Sequence, residues 1–340
     1  MPVHAAPHKF VVMLKTYRDD ALYVRRLIDS MARYNVDNVP LYVVCPDEDI
    51  NIFKEICSRV TATILPESLF QSHLTSEFVQ LEHEDFTIRP GYINQEIVKI
   101  AFWEIGVADN YLCIDSDAEF IRPFYASDFI APDSFPYTTL TEDFSLIVDS
   151  YYYHMCGWEG RKKRIQRINE AIDFPQTNFE TSHGCVVFNS RVLKDFYENF
   201  MLKNGFSYIG ILKICPYEFS WYNMWLQKTK VIPIHKREPI ILCFHHEQQL
   251  KQYKSAGIAL ADLARAYVAI VVNSNFQPDR GGRKPISYET YIDFVPQRGK
   301  MRILIYLLRQ CLRDAYSATK LHIPTPIRKL LGKVKRVILH

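Results

Sequence analysis

Asp115-Ser116-Asp117 is the part of this 340-residue sequence with the most evident capacity for chemistry. Four apolar residues, Tyr111-Leu112-Cys113-Ile114, run into it, and Ala118-Glu119-Phe120-Ile121 follows. A short apolar run bounded by polar residues reads as a strand buried on both faces, so both carboxylates stand where that strand ends. Two carboxylates one residue apart can share a divalent cation. Mg²⁺ and Mn²⁺ prefer oxygen ligands, and Mg²⁺ is commonly held by one or two carboxylates together with phosphate oxygens. The stretch therefore points to a cation-bridged diphosphate at the carboxyl edge of an α/β sheet, where open sheets bind ligands. The plainer reading is a turn, since Asp and Ser are ordinary turn residues.

Three other positions could join it. Residues 94–105 have the apolar spacing of a helix, and Gln95 and Lys99 lie four apart on it, just before the acidic strand. A lysine there could meet a diphosphate as a point charge, or simply belong to a solvated helix face. Glu218 lies in an aromatic setting, Tyr217-Glu218-Phe219-Ser220-Trp221-Tyr222. A carboxylate so placed needs a partner or a raised pKa, and the latter is what a general base requires. Glu142 and Asp143 are second candidates for that base. His245, with His246 beside it, follows the apolar run 240–244 and could complete a metal site; a lone histidine is more often structural.

The elements that must position these groups alternate. Residues 10–14, 41–45 and 61–65 read as buried strands, with helical spacing between them at Leu22, Leu27, Ile28 and Met31 and again at Ile52, Phe53 and Ile56. A β-α-β-α-β order argues for a parallel sheet with helices on its faces. No G-x-G-x-x-G follows the first strand and no G-x-x-x-x-G-K-S/T occurs, which argues against dinucleotide and P-loop sites. Residues 66–90 read as irregular, 137–140, 185–188 and 266–272 as further strands, and 192–201 as a helix. The basic run 161–167 reads as a solvated helix face.

A hydrophobic content of 48% with 23% charged residues is enough to bury a core. The net charge is +3, but it is unevenly spread. Residues 298–340 carry eleven Lys and Arg and one acid, Asp314, so an acidic body precedes a basic tail. In that tail basic residues alternate with aliphatic ones, a pattern suited to an anionic membrane surface and poorly suited to nucleic acid. The eight cysteines form no C-x-x-C pair, and Cys45, Cys113, Cys185 and Cys243 sit in apolar runs. They read as reduced, buried thiols in a cytosolic protein. No apolar signal core opens the sequence, and no run reaches the roughly 18 apolar residues of a spanning helix.

Several blocks, in order, resemble one family. Thr16-Tyr17-Arg18-Asp19-Asp20 is similar to its S/T-Y-x-x-D after the first strand, and Val44-Cys45-Pro46-Asp47-Glu48-Asp49 to its V-x-P-x-x-D. Gly91, Gln95, Lys99 and Ile100 fit G-x-x-x-Q-x-x-x-K-L, and residues 112–124 fit L-x-x-D-S-D-x-x-F-x-R-P-F. Tyr217-Glu218-Phe219-x-x-Tyr222 resembles S-E-Y-x-L-Y-G without its Ser and Gly. The chain thus resembles bacterial glycosyltransferases of the GT-A type in the group called DUF6492, over roughly residues 8–275. The resemblance implies a GT-A-like, Rossmann-type mixed α/β sheet with helices on both faces over 8–275; beyond it, residues 276–300 read from their composition as a linker and 301–340 from their spacing as a basic amphipathic helical tail. It implies a nucleotide-sugar donor and Mn²⁺ or Mg²⁺. Asp117 would ligate the metal, Asp115 the metal or the donor ribose, and His245 or His246 would be a late metal ligand. Thr16, Tyr17, Asp20 and Ser116 would sit by the nucleotide, Gln95 and Lys99 would face the donor, and Glu218 would serve as base in an inverting reaction.

The expectation is a metal-dependent glycosyltransferase acting on a glycan or lipid-linked glycan acceptor in cell-surface polysaccharide synthesis, peripheral on the inner face of the cytoplasmic membrane. Two other classes compete. A haloacid-dehalogenase-like phosphatase also uses D-x-D after a strand, but has a Thr two residues beyond the second Asp, where this chain has Glu119. A non-catalytic carbohydrate- or membrane-binding module would not need both Asp115 and Asp117.

Overall fold

The computed structural model describes residues 7–140, 158–175, 185–244, 247–273 and 287–289. All but Glu289 of these fall within one compact unit, Met1–Tyr288. His245, His246, Glu142, Asp143, most of the expected linker and the whole basic tail lie outside the described residues.

The predicted alternation is present at the N-terminal end: β1 (Val11–Lys15), α1 (Ala21–Tyr34), β2 (Leu41–Cys45), α2 (Ile50–Ile56) and β3 (Ala62–Pro66). After α3 (Pro90–Ala101) come β4 (Asn110–Ile114) and β5 (Ala118–Phe120), the two strands on either side of the acidic motif. Then follow α4 (Trp158–Ala171), β6 (Val187–Asn189), α5 (Ser190–Phe196), α6 (Tyr208–Ile214), α7 (Glu218–Thr229), β7 (Ile241–Phe244), α8 (Glu247–Ser255) and β8 (Ala269–Val272).

The main sheet has the order β3-β2-β1-β4-β6. Its first four strands are parallel and β6 runs antiparallel to β4. Strand residues alternate between two apolar layers. Val11, Met13, Tyr111 and Cys113 pack with α3, α5 and α7; Val12, Leu14, Leu112 and Ile114 pack with α1 and α2. Both faces of the sheet are therefore covered, which is why its strands read as continuous apolar runs. A smaller sheet has the order β7-β8-β5, with β7 and β8 parallel and β5 antiparallel to β8. This is a mixed α/β fold.

Some local expectations need correcting. The strand expected over 137–140 is only Tyr137–Thr138, paired with His235–Lys236. Residues 66–90, expected to be irregular, include the antiparallel pair Val79–Gln80 with Thr87–Ile88. The basic run is not simply a solvated face: Arg164 Nε and Arg167 Nη1 donate to Glu84 Oε1 at 2.9 and 2.8 Å, and Arg164 Nη1 donates to the Tyr217 hydroxyl at 2.8 Å. The helix α7 has every residue from Ser220 to Gln227 buried, so it lacks the polar face by which a helix is read from spacing. The six cysteines among the described residues are all free thiols. Among the described residues no helix is long and apolar enough to cross a membrane.

Candidate active site at the carboxyl edge of the sheet

The register of β1 against β4 pairs Leu14 with Ile114, so the chain leaves both strands side by side. To one side of β1 lie β2 and β3, and to the other lies β4. The strand order reverses between β1 and β4, and that reversal is where open α/β sheets bind ligands. Asp115 and Asp117 occupy this position. The N–H of Ala118 donates to the Asp115 carbonyl at 3.1 Å, closing a β-turn. Turn and carboxylate pair are thus one feature, and the turn carries the chain from the main sheet into the smaller one.

The loop after β1 meets this turn. Ser116 Oγ donates to Asp20 Oδ2 at 3.1 Å and lies 3.2 Å from Thr16 Oγ1. Thr16 and Ser116 are both buried. The Tyr17 carbonyl accepts the Asp20 N–H at 3.0 Å, which folds the loop back on itself. Thr16, Asp20 and Ser116, expected beside a nucleotide, are therefore brought together, with Tyr17 half-buried next to them.

Behind Asp115 lies a denser charge cluster. Lys99 Nζ is 3.1 Å from Asp115 Oδ1, 3.2 Å from Glu218 Oε1 and 3.6 Å from Glu96 Oε2. The Lys99 side chain is 5% exposed and those of Glu96 and Glu218 are each 4% exposed, whereas Asp115 keeps 33% of its side chain open. Burial alone would discharge Lys99; the charges of Asp115, Glu96 and Glu218 outweigh it and raise its pKa well above the ordinary lysine value. Burial, and then the charge of Glu218, push the Glu96 carboxyl well above the usual carboxylate range. Lys99 is not on a solvated helix face. Gln95, one turn earlier on α3, is half-buried. Glu218 opens α7 and faces Lys99. A general base needs an open path to an acceptor hydroxyl, and a carboxylate this enclosed, with Lys99 on Oε1, offers none here.

The second half of the motif is held from α1. Arg26 Nη2 donates to the Asp117 carbonyl at 3.1 Å, and Arg26 Nε lies 3.6 Å from Glu119 Oε2. One turn on, Ser30 Oγ accepts the Phe120 N–H at 3.0 Å. The N–H of Val272 also reaches the Asp117 carbonyl, at 3.4 Å. Val272 pairs with Phe244, the last described residue before His245. Arg26, Ser30 and Glu96 were not found by sequence reasoning. The only signal for Glu96 was its i,i+3 spacing from Lys99, which puts both on one side of a helix.

Among the described residues no three His, Cys, Asp or Glu side chains converge as a metal cage. The chemistry of the site is compatible with a different arrangement. Mg²⁺ or Mn²⁺ can be held by one or two carboxylates when phosphate oxygens complete the shell. Asp115 and Asp117 supply such carboxylates, with Asp115 part-open to solvent.

The fold and site thus define an α/β protein with an acidic turn at its topological switch point. Residues 8–149 match the model of a family described as "Family of unknown function (DUF6492)", which bears out the resemblance over that stretch. The matched stretch contains the acidic turn and Lys99 and ends before Glu218. No curated protein matches the chain. Solved structures to which the chain is similar include mouse xyloside xylosyltransferase 1 in its apo form, with 8% identity and a TM-score of 0.46, covering 79% of this chain and 99% of that one. Another is the galactosyltransferase LgtC in complex with donor and acceptor sugar analogs, with 9% identity and a TM-score of 0.42, covering 83% of this chain and 94% of that one.

Proposed function

We propose that this chain is a cation-dependent glycosyltransferase that moves a sugar from a nucleotide-sugar donor to a glycan or lipid-linked glycan acceptor. The observation that carries the reading is the Asp115–Asp117 turn at the switch point between β1 and β4, with Lys99 held against Asp115 and the Thr16–Asp20–Ser116 group beside it. In such a transfer the leaving group is a nucleoside diphosphate, and a site for it needs positive charge for its oxygens and polar groups for its nucleoside.

Asp115 and Asp117 would hold Mn²⁺ or Mg²⁺ together with diphosphate oxygens. His245 is proposed as a further ligand, because it follows the strand paired with Val272, whose N–H reaches Asp117. A cation bound there supplies charge neutralisation for the departing diphosphate. Thr16, Tyr17, Asp20 and Ser116 are assigned to the nucleoside and Gln95 to the diphosphate and sugar, while Lys99, as enclosed as Glu218, is assigned to the donor side through its contact with Asp115. The phosphatase reading loses support because Glu119, where such an enzyme has Thr, is engaged by Arg26. A role in cell-surface polysaccharide synthesis at the inner face of the cytoplasmic membrane is part of the proposal, and its support is the basic composition of residues 298–340.

The test is a thermal-shift screen of the full chain against a panel of nucleotide sugars, with and without MnCl₂. A stabilising nucleotide sugar that acts only with the cation is the expected result. Release of phosphate from a generic phosphomonoester, with no response to any nucleotide sugar, would overturn it.

A further inference from the structure

Helix α7 delivers Glu218 to Lys99, yet its own start lacks the usual support. Tyr217, the residue before its first turn, makes no side-chain cap to the helix. A helix start without a cap leaves its first N–H groups to water and frays readily. Side chains hold the entry to α7 in another way. Tyr92 of α3 donates to the Pro216 carbonyl at 3.4 Å, and Trp221 Nε1 donates to the Cys215 carbonyl at 2.9 Å. Arg164 Nη1 of α4 donates to the Tyr217 hydroxyl at 2.8 Å. Three successive residues are thus fixed just before Glu218.

Arg164 is itself fixed. Its Nε and Nη2 donate to the two oxygens of Glu84 at 2.9 and 2.5 Å, a bidentate fork that leaves Nη1 for Tyr217. Arg167 Nη1 supports Glu84 at 2.8 Å and also donates to the Glu82 carbonyl at 3.0 Å. Glu84 lies between the paired segments Val79–Gln80 and Thr87–Ile88, so this hairpin is docked on α4. The Arg164 and Glu84 side chains are 20% and 21% exposed, and a pair so open adds modestly to stability. Its geometry is more informative: a planar guanidinium with every nitrogen on a partner has one orientation. From Tyr217 the chain passes at once to Glu218, 3.2 Å from Lys99, which in turn is 3.1 Å from Asp115.

We propose that Arg164 and Tyr217 are positioning residues: the guanidinium, held by Glu84, sets the entry to α7 and through it the Glu218–Lys99–Asp115 contacts at the carboxyl edge. The inference rests on the transferase reading for what those contacts serve, the donor diphosphate. Neither residue touches the donor; both act through Glu218 and Lys99. Arg167 grips the same Glu84 but not Tyr217, so it supports the hairpin without setting α7.

Two measurements on the full chain test this. The first is calorimetric binding of UDP, GDP, CDP and ADP, each with MnCl₂, to the wild type, Arg164→Met, Tyr217→Phe, the double variant and Arg167→Met. Arg164→Met and Tyr217→Phe should each weaken binding of the preferred diphosphate about two- to thirtyfold, the range for residues that act without touching the ligand. The double variant should bind no worse than the weaker single one, because both changes remove the same bond. Arg167→Met should lower the urea midpoint yet bind as the wild type does. Wild-type affinity in Tyr217→Phe, additive losses in the double variant, or equal losses in Arg167→Met and Arg164→Met would overturn the assignment while leaving the transferase reading standing. A wild type that binds none of the four would overturn that reading instead.

The second measurement needs no ligand, and Tyr217→Phe, which loses only one hydroxyl, covers the case of an Arg164 variant that folds poorly. Hydrogen exchange followed by mass spectrometry reads the first turn of α7 directly. Amides at 218–221 should exchange faster in Tyr217→Phe than in the wild type, and at the wild-type rate in Arg167→Met. Unchanged exchange in Tyr217→Phe, or equal acceleration in Arg167→Met, would show that Arg164 does not set the entry to α7.

Discussion

Arg26 donates from its guanidinium to the main-chain oxygen of Asp117, 3.1 Å away and ninety-one residues along the chain. The acidic turn is therefore gripped through its backbone from the first helix of the fold. The same guanidinium also meets Glu119. Burial lowers the Arg26 pKa, and the charges of Glu119 and Asp117 work against that. Arg26→Met should destabilise the fold by about 2 kcal/mol, the scale for a lost charge-assisted hydrogen bond. Arg26→Lys should recover only part, since an ammonium cannot reproduce the forked geometry. Urea denaturation of the three proteins checks this; equal midpoints would show that the grip adds no stability.

Asp117→Asn keeps size and shape but removes the charge. On the proposed function it should abolish cation-dependent donor binding and slow transfer by about a hundredfold or more, the scale for losing one electrostatic stabiliser of the transition state. The far-ultraviolet circular dichroism should be unchanged. Sugar transfer by the purified variant at the wild-type rate would remove the basis of the assignment.

The pairing of Glu84 with Arg164 and Arg167 gives a pH signature away from the site. Hydrogen bonds from Arg164, and then from Arg167, overcome the opposing effect of burial and hold the Glu84 carboxyl at about 2. In the unfolded chain a glutamate titrates near 4.3. The folded pKa is depressed, so the stabilisation is present above the unfolded value and is lost as pH falls towards 2. Most of the Glu84 contribution is screened by solvent, so about 1 kcal/mol is a fair scale. Glu84→Gln should lower Tm by about 2–4 °C at pH 7, with the gap to the wild type closing as pH drops through this window. A gap that persists unchanged to pH 2 would contradict the assigned charge pairing.

The thiols give a further check on the core. Burial pushes Cys45 up to about 11 and Cys57 up to about 12, and raises Cys113 and Cys185 well above the ordinary thiol value. Reactivity follows the thiolate fraction, so these four should react at pH 8 at least about a hundredfold more slowly in the native protein than in urea. Alkylation followed by peptide mass spectrometry reads each site separately. Rapid native labelling of Cys45 or Cys57 would mean that the packing around β2 and α2 is looser than described.

What the sequence revealed follows from which signals survive in one dimension. The strands β1, β2 and β4 were visible because burial on both faces leaves an apolar run, and α1 because its apolar side repeats at helical spacing. Asp115 and Asp117 were visible because carboxylates at the end of such a run are conspicuous. Helix α7 was not, since a helix buried all round has no polar side to give a period. Arg26, Ser30 and Glu96 were hidden for a related reason: a polar residue on a helix reads as surface until the fold shows what lies over it. Glu218 was singled out correctly as an enclosed carboxylate, but its partner Lys99 lies more than a hundred residues away in sequence, and only the packing of α3 against α7 brings them together.

The turn from Asp115 to Ala118 also has a consequence for what lengths this chain tolerates. Side chains on a strand alternate in facing, so one extra residue between β4 and β5 would move Glu119 into the place that Phe120 now fills in the apolar layer, and Phe120 one step on to the opposite face. Phe120 is 1% exposed and stacks on Phe124 with ring centroids 4.0 Å apart, so that reversal would open the smaller sheet. The two-residue step between the aspartates is thus locked by packing as firmly as by any ion, and an insertion there would be an unfolding lesion before it was a catalytic one.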